Sequence, residues 1–321
     1  LYLPHLRTAA YEQLIAAECM ADWAEKTQAP VQRDKAPHKT QAAGGWLDIE
    51  RGDFDCDGSE ELMINSELLN VFVDPAEGGR ITELDWKPRF FNLTNTLTRR
   101  REGYHDKIAL AGAATGEVKT IHDRVVVKEE GLQHHLQYDW YTRASLLDHF
   151  LESGVDLMSF MRSEYYEAGD FVCGAYEASP RKQKDSAAVT LERRGCAAGL
   201  RIRLRKTLIH AQLRPHLLVR YEITNEDRGE LNIGFGPEFN FSLLAGNAHD
   251  RYYEIPGHTL DKRNLASIGE TNNVTGLKLV DEWLKLTVAL RFSQPAVLWR
   301  EPIETVSQSE AGFERVYQSS M

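Results

Sequence analysis

The sequence predicts a mainly β protein: a large antiparallel β-sandwich preceded by a helical segment. Two observations carry this prediction. Beyond Trp46, runs rich in Val, Ile, Leu, Phe and Tyr follow one another, with turn residues between them and no helical segment interposed. Ahead of Trp46 lies a stretch whose apolar residues recur at helical spacing. Successive strands without helices bury their apolar faces by stacking sheet on sheet. The β region, residues 46–321, is long enough for two broad packed sheets rather than one immunoglobulin-sized unit.

The helical segment is assigned to residues 1–27. Pro4 stands near its start, and Leu6, Ala10, Leu14, Ala17, Ala21 and Ala24 place an apolar stripe on one face. Ala9 and Ala10 lack bulk, which suits close packing against another element, either in this chain or in a missing piece. Residues 28–45, with Pro30, Pro37 and Gly44-Gly45, hold nothing that builds a core and read as a linker.

The sandwich domain then occupies 46–321. Its expected strands are Leu62–Val73, Arg80–Trp86, Arg124–Lys128, Leu132–Tyr141, Phe171–Glu177, Arg201–Ile209, Leu217–Thr224, Leu231–Leu244, Leu277–Phe292 and Ala296–Trp299. Turn signals such as Asp74-Pro75, Gly78-Gly79, Ser179-Pro180 and Gly236-Pro237 divide them. Arg143–Glu152 is compatible with a short helix or a further strand. Arg201, Arg203 and Arg205 alternate with Ile202 and Leu204, the pattern of a strand with one wet face.

Composition narrows the function. The 321 residues carry 38 basic and 48 acidic side chains, a formal charge of −10, which argues against a nucleic-acid surface. No apolar run approaches the ~20 residues that span a bilayer. Cysteines at 19, 56, 173 and 196 lack metal-ligand spacing and read as reduced, partly buried thiols of a cytoplasmic protein. A phosphate-binding glycine loop, a GxSxG elbow and an HExxH helix are all absent from the sequence. The chain opens Leu1-Tyr2-Leu3-Pro4 without a starting Met, which reads as a fragment of something longer.

The strongest local signal is Asp53-Phe54-Asp55-Cys56-Asp57-Gly58-Ser59-Glu60-Glu61. Asp53, Asp55 and Asp57 alternate, Gly58 permits a sharp turn, and Glu61 follows. With the Ser59 carbonyl this set suits a hard, oxygen-loving cation, and calcium is the expected cofactor. The competing reading is a solvated acidic turn. The twelfth position is Ile64, so the loop is not an EF-hand. His134-His135 and Asp148-His149 are not ready-made dyads, because neighbours on a strand point to opposite faces. Glu238 and Asn240 share one face, suited to bonding within the sheet interior or to a sugar hydroxyl. Trp86, Tyr104, Trp140 and Tyr141 are candidates to stack on a pyranose ring or to fill the core. Glu102, Tyr104 and His105, behind Arg99-Arg100-Arg101, are the expected substrate-proximal patch.

Several segments, taken in order, resemble the carboxy-terminal region of glycoside hydrolase family 57. They are Leu1–Arg7 with Tyr11 and Leu14–Glu18, then Asp53–Glu61, Gly78-Gly79-Arg80-Ile81, Arg99–His105, Ser145–Phe150 and Pro237–Asn240. The resemblance spreads from residue 1 to about residue 245. It implies a sandwich of galactose-mutarotase type that follows a catalytic barrel of a 4-α-glucanotransferase or α-amylase. The family's catalytic glutamate and aspartate lie in that barrel, and no position here matches them. The implied role is a non-catalytic domain that supports the barrel, with α-glucan met through the parent enzyme. The alternatives are an independent mutarotase-like enzyme using a His and a carboxylate, and a stand-alone carbohydrate-binding module.

Overall fold

The structure is a computed structural model describing residues 2–27, 45–108, 129, 131–309 and 312–321. Residues 28–44 of the expected linker and the expected strand Arg124–Lys128 lie outside the described residues. Helix α1 (Pro4–Thr27) precedes a β region. Strands β1 (Leu47–Gly52), β2 (Glu61–Ser66), β3 (Leu69–Asp74), β4 (Arg80–Trp86) and β5 (Phe91–Asn92) form a sequential meander. After β6 (Leu147–Leu151) and the short helix α2 (Leu157–Met161), a second meander runs through β7 (Glu177–Lys182), β8 (Ser186–Ala197), β9 (Leu200–Ala211) and β10 (Leu217–Asn225). Strand β11 (Gly234–Glu238) returns to pair with β6. A three-stranded sheet, β12 (Arg251–Glu254), β13 (Gly269–Asp281) and β14 (Leu286–Arg300), and the hairpin β15 (Pro302–Ser309) and β16 (Gly312–Ser320) complete the chain.

The two meanders face each other across the main core. Ile64, Val71 and Ile81 from the first pack with Val189, Leu191, Leu204 and Leu208 from the second. In β9 the alternation is regular: Ile202, Leu204, Lys206, Leu208 and His210 are buried, while Arg201 is exposed and Arg203 and Arg205 half-buried. Lys206 is the exception in an apolar row. Its Nζ donates to the carbonyls of Gly78 and Leu146 and pairs with Asp148 at 2.8 Å, so its charge stays satisfied. A second core gathers Phe91, Leu93, Phe241, Leu243, Tyr253, Leu277 and Leu279. Backbone bridges Ile81–Ser145 and Phe241–Ser320 stitch the sheets together.

Several expected strands are divided or displaced. Leu62–Val73 is a hairpin: the Ser66 hydroxyl accepts from the backbone N–H groups of Leu68 and Leu69 and reverses the chain. Leu277–Phe292 is likewise turned, by the Asp281 carboxylate accepting from the Leu284 N–H. Leu132–Tyr141 begins as a 3-10 turn over Leu132–His135, and its later part is held by ion pairing of Asp139 instead of a ladder. Phe171–Glu177 buries Phe171 and Val172 but turns at Gly174, whose N–H reaches the Phe171 carbonyl. Only Gly234–Glu238 of Leu231–Leu244 is a strand, and Arg143–Glu152 resolves as β6. Strands β8, β15 and β16 escaped the reading because Ala, Ser, Thr and charged residues dilute their apolar rows.

Helix α1 turns its predicted apolar stripe away from the sandwich. On the sandwich side Tyr11, Cys19 and Trp23 are half-buried, and polar contacts flank them: Arg7 donates to the Asn95 carbonyl and Gln318, Glu18 accepts from Asn70, and Asp22 pairs with Lys87 at 2.8 Å. Ile15 is its buried apolar contact. The predicted stripe lies mostly on the outer face, with Leu6, Ala10, Leu14, Ala17 and Ala21 exposed and Ala24 half-buried. The cysteines also differ from expectation. All four are unpaired, but Cys56, Cys173 and Cys196 are exposed and only Cys19 is half-buried. No described helix is long and apolar enough to cross a membrane.

Candidate functional site

The acidic segment is the loop of the β1–β2 hairpin, because Leu47–Gly52 is itself a strand paired with Glu61–Ser66. The loop therefore sits within the sheet's edge hairpin and not ahead of the first strand. Backbone N–H groups fold it: Asp57 and Gly58 donate to Asp53, Asp57 also to Asp55, and Ser59 to Asp57. Gly58 takes a φ of +93°, where a side chain is strained. Carboxylate oxygens of Asp53, Asp55, Asp57 and Glu61 converge within 4.8 Å of one another. No Lys or Arg among the described residues pairs with any of these four. Burial raises the Glu61 carboxyl; the Phe54 N–H opposes this, while the nearby Asp55 and Asp57 charges add to it. An all-oxygen donor set with unbalanced negative charge is the chemistry of a hard-cation site, and these residues fit calcium.

The expected patch at 102–105 borders a cavity of about 480 Å³. Its walls include Thr98, Arg99, Arg100, Glu102, Tyr104 and His105, joined by Tyr2 from the start of the chain and by His135, Gln137 and Thr305. The three predicted residues thus share one cavity, in unequal roles. His105 is buried and fully engaged: Nε2 donates to the Val306 carbonyl at 2.9 Å, leaving Nδ1 to accept from the Glu102 N–H and the Tyr138 hydroxyl. Tyr104 packs edge-on to His105 and against Phe313. Glu102 accepts a hydrogen bond from the Tyr2 hydroxyl. Of the arginine run, Arg99 is tied to Asp139 and Gln137 and Arg101 to Asp106, so Arg100 is the donor left open.

Sequence reasoning missed Tyr2, His135 and Gln137 as cavity residues, and no local pattern marks them. They come from segments far apart in the chain.

Behind the cavity lies a sealed network. Asp139 bridges Arg99 at 2.6 Å and Arg143 at 2.9 Å, and Arg143 continues to Glu238 at 3.1 Å. Glu238 also accepts from Tyr141, Asn240 and His149, whose other ring nitrogen meets Glu167 at 2.8 Å. Burial alone would depress His149, but its bonds to Glu167 and Glu238 outweigh this and hold it at about 9. Burial pushes Glu238 up; the Arg143 charge and the His149 and Tyr141 bonds prevail and draw it down to about 2. Asp148 faces the other way, accepting from Tyr176 and Tyr221 beside Lys206. The two residues of Asp148-His149 do point to opposite sides, as the strand geometry predicts. Glu238 and Asn240 bond within the interior. His149 and Glu238 are the chemical pair that an anomer-interconverting enzyme would need. Their side chains are only 2% and 1% exposed, so no sugar reaches them. Of the stacking candidates, Tyr141 is buried, Trp86 packs in the core and Trp140 is exposed.

The structure thus describes a large antiparallel β-sandwich domain with a polar cavity and an acidic edge loop. Comparison with known proteins gives its family. The profile described as "Alpha-amylase/4-alpha-glucanotransferase, C-terminal" matches residues 53–321, and the chain belongs to that family. The chain is 34% identical to alpha-amylase 1 of Dictyoglomus thermophilum over its whole length, covering 42% of that protein. It is 30% identical to the 4-alpha-glucanotransferase of Thermococcus kodakarensis over 99% of its length, covering 41% of that relative. The crystal structure of 4-alpha-glucanotransferase from Thermococcus litoralis shares the fold, with a TM-score of 0.72, 24% identity and coverage of 99% of this chain and 41% of that one. The chain thus spans about two-fifths of the length of the relatives it matches.

Proposed function

We propose that this domain assists an α-glucan-processing enzyme without cleaving the glucan itself, presenting the Glu102–Tyr104 cavity to a glucan chain. The observation that carries the reading is the cavity lining. Hydrogen-bonding groups of Thr98, Arg100, Glu102, His135, Gln137 and Thr305 line the same cavity as Tyr104, a combination suited to a polyhydroxylated pyranose. Glu102 is the single carboxylate in that lining, whereas glycosidic cleavage needs a pair flanking the bond. The test is titration of the chain with linear maltooligosaccharides, alongside a reducing-sugar assay on amylose. Binding without sugar release supports the reading. Steady release, or no binding by either the native chain or the Arg100→Ala variant, overturns it.

The same proposal places a structural calcium ion among Asp53, Asp55, Asp57 and Glu61, with the Ser59 carbonyl as a further oxygen. It would brace the β1–β2 hairpin at the edge of the sheet. A cation that binds only the folded chain adds stability as RT ln(1 + [L]/Kd), roughly 2.7 kcal/mol at about 100-fold excess over Kd. Chelation is expected to lower the melting temperature, with calcium restoring it better than magnesium. Asp55→Ala should abolish that difference. Identical melting curves in chelator and in excess calcium would remove the ion from the account.

A further inference from the structure

The sealed network behind the cavity holds one carboxylate too many. Its contacts join Arg99, Arg143 and His149 to Asp139, Glu167, Glu238 and Glu301, three cations against four carboxylates. Three of the carboxylates are well bonded. Asp139 accepts from both arginines, Glu167 from His149 and the Phe150 N–H, and Glu238 from Arg143, His149, Tyr141 and Asn240. Glu301 is different. Its side chain has no solvent exposure, neither of its oxygens takes a hydrogen bond from a described residue, and the Arg143 guanidinium stands off at 3.6 Å. Tyr253 of β12 adds no positive charge, and Arg300, the chain neighbour, turns instead to Ser267 and the Tyr253 ring. An ionised Glu301 would be buried without a counter-charge of its own, so a proton is the missing positive charge. Burial raises the Glu301 carboxyl; the Arg143 and Arg99 charges oppose this, Glu238 and Asp139 add to it, and the group settles at about 7.

The place of Glu301 in the chain gives that proton a mechanical role. It is the single residue between β14, which ends at Arg300, and β15, which begins at Pro302. Its carbonyl accepts from the Met321 N–H at 2.9 Å, next to the Pro302–Ser320 pair that ends the β15–β16 hairpin. That hairpin supplies Thr305 and Val306 to the cavity wall, and its Gln318 holds the Tyr2 carbonyl and the Arg7 guanidinium. We propose that Glu301 is a proton-binding site that switches the β15–β16 hairpin, closing it on the network when protonated and loosening it, with the cavity wall it carries, when ionised. A carboxyl whose folded value is raised stabilises the closed form fully below its ordinary value of 4.5, and that stabilisation is lost as pH rises through about 7. The switch therefore works between mildly acidic and neutral pH. It stands on the network and the hairpin, and does not depend on what the cavity binds.

The test is amide hydrogen exchange of the native chain and of Glu301→Gln, which keeps the side chain's shape and cannot ionise. Exchange is followed at the β15–β16 amides from pH 5 to pH 8 and corrected for the intrinsic rate. At pH 5 the two hairpins should open alike. By pH 8 the native hairpin should exchange roughly thirtyfold faster than the variant. His149 titrates alike in both proteins and cancels from that ratio. A ratio that stays constant from pH 5 to pH 8 overturns the proposal. Isotope labelling of the glutamate carboxyls, read by NMR, checks the native chain directly. At least one glutamate should still be protonated at pH 6 and be missing from the variant. Glutamates that are all ionised at pH 6 in the native chain overturn the proposal whatever the variant does.

Discussion

The cavity and the network behind it are built from the same groups, a histidine, a glutamate, a tyrosine and an arginine, yet they do different things. In the sealed network each group completes another: His149 sits between Glu167 and Glu238, and Arg143 between Asp139 and Glu238. In the cavity, His105 is spent on the backbone and Tyr138, while Arg100, Glu102 and the Thr98 region meet solvent. The two regions touch through Arg99, which lines the cavity and pairs with Asp139 of the network. Residue types alone therefore do not separate a site from a scaffold. What separates them is access to solvent: the network is sealed, even around its unbonded Asn240 Oδ1 and Glu301 oxygens. Buried and mutually bonded, such groups fix the fold; open to solvent, they are available to a ligand.

The largest effect should come from breaking the network at Arg143, whose side chain has no solvent exposure. Arg143→Met leaves Asp139 and Glu238 buried with fewer counter-charges, which typically costs about 3–5 kcal/mol. Urea denaturation should show the loss as a shift of midpoint at unchanged slope. A midpoint shift below ~1 kcal/mol equivalent would mean the network is wetter than its burial indicates. By contrast, Arg100→Ala at the cavity should leave the midpoint in place.

Next in size is the pH dependence of His149. Its folded value is raised to about 9 from an ordinary 6.5. A raised folded value means that the native state holds the proton more tightly, so its stabilisation is complete below about pH 6.5 and is lost as pH rises through 9. The contribution at stake is roughly 3 kcal/mol. Stability measured from pH 6 to pH 10 should fall through this window, and His149→Gln should flatten that part of the profile. A native profile that is level across the window would place a neutral imidazole at this position.

Much of this contrast was not legible in the sequence. The acidic loop was, because Asp53, Asp55, Asp57 and Glu61 are local and their convergence follows from one turn at Gly58. The exposure pattern of Arg201–Arg205 was also legible, since alternation is a local property, but nothing local marked Lys206 as a buried charge. The cavity was half legible: Glu102, Tyr104 and His105 are contiguous, but Tyr2 and Thr305 arrive from opposite ends of the chain. The sealed network draws Asp139, His149, Glu167 and Glu238 from separate segments, so only the folded chain assembles it. Helix α1 shows the other limit. Periodicity located its apolar stripe but says nothing of which neighbour that stripe faces, and here Tyr11, Ile15, Cys19 and Trp23, with polar contacts at Arg7, Glu18 and Asp22, take the sandwich side.

The smallest effect on stability, and the most direct test of the comparison, belongs to Glu102→Gln. The change removes one charge, keeps the side chain's shape and still lets Tyr2 donate to the remaining carbonyl oxygen. It lies at a partly exposed position, so the unfolding midpoint should move by no more than about 0.5 kcal/mol. If the cavity takes a glucan, the carboxylate is an acceptor for sugar hydroxyls, and charge-assisted bonds are about twice as strong as neutral ones. Maltooligosaccharide affinity should then fall several-fold, with Arg100→Ala giving a comparable loss from the donor side. His105→Gln serves as the contrast, because His105 bonds Val306 and Tyr138 and should respond in stability before it responds in binding. Equal affinity in native chain, Glu102→Gln and Arg100→Ala would make the cavity walls as structural as the network behind them. The distinction between open and completed groups would then no longer locate a binding site in this domain.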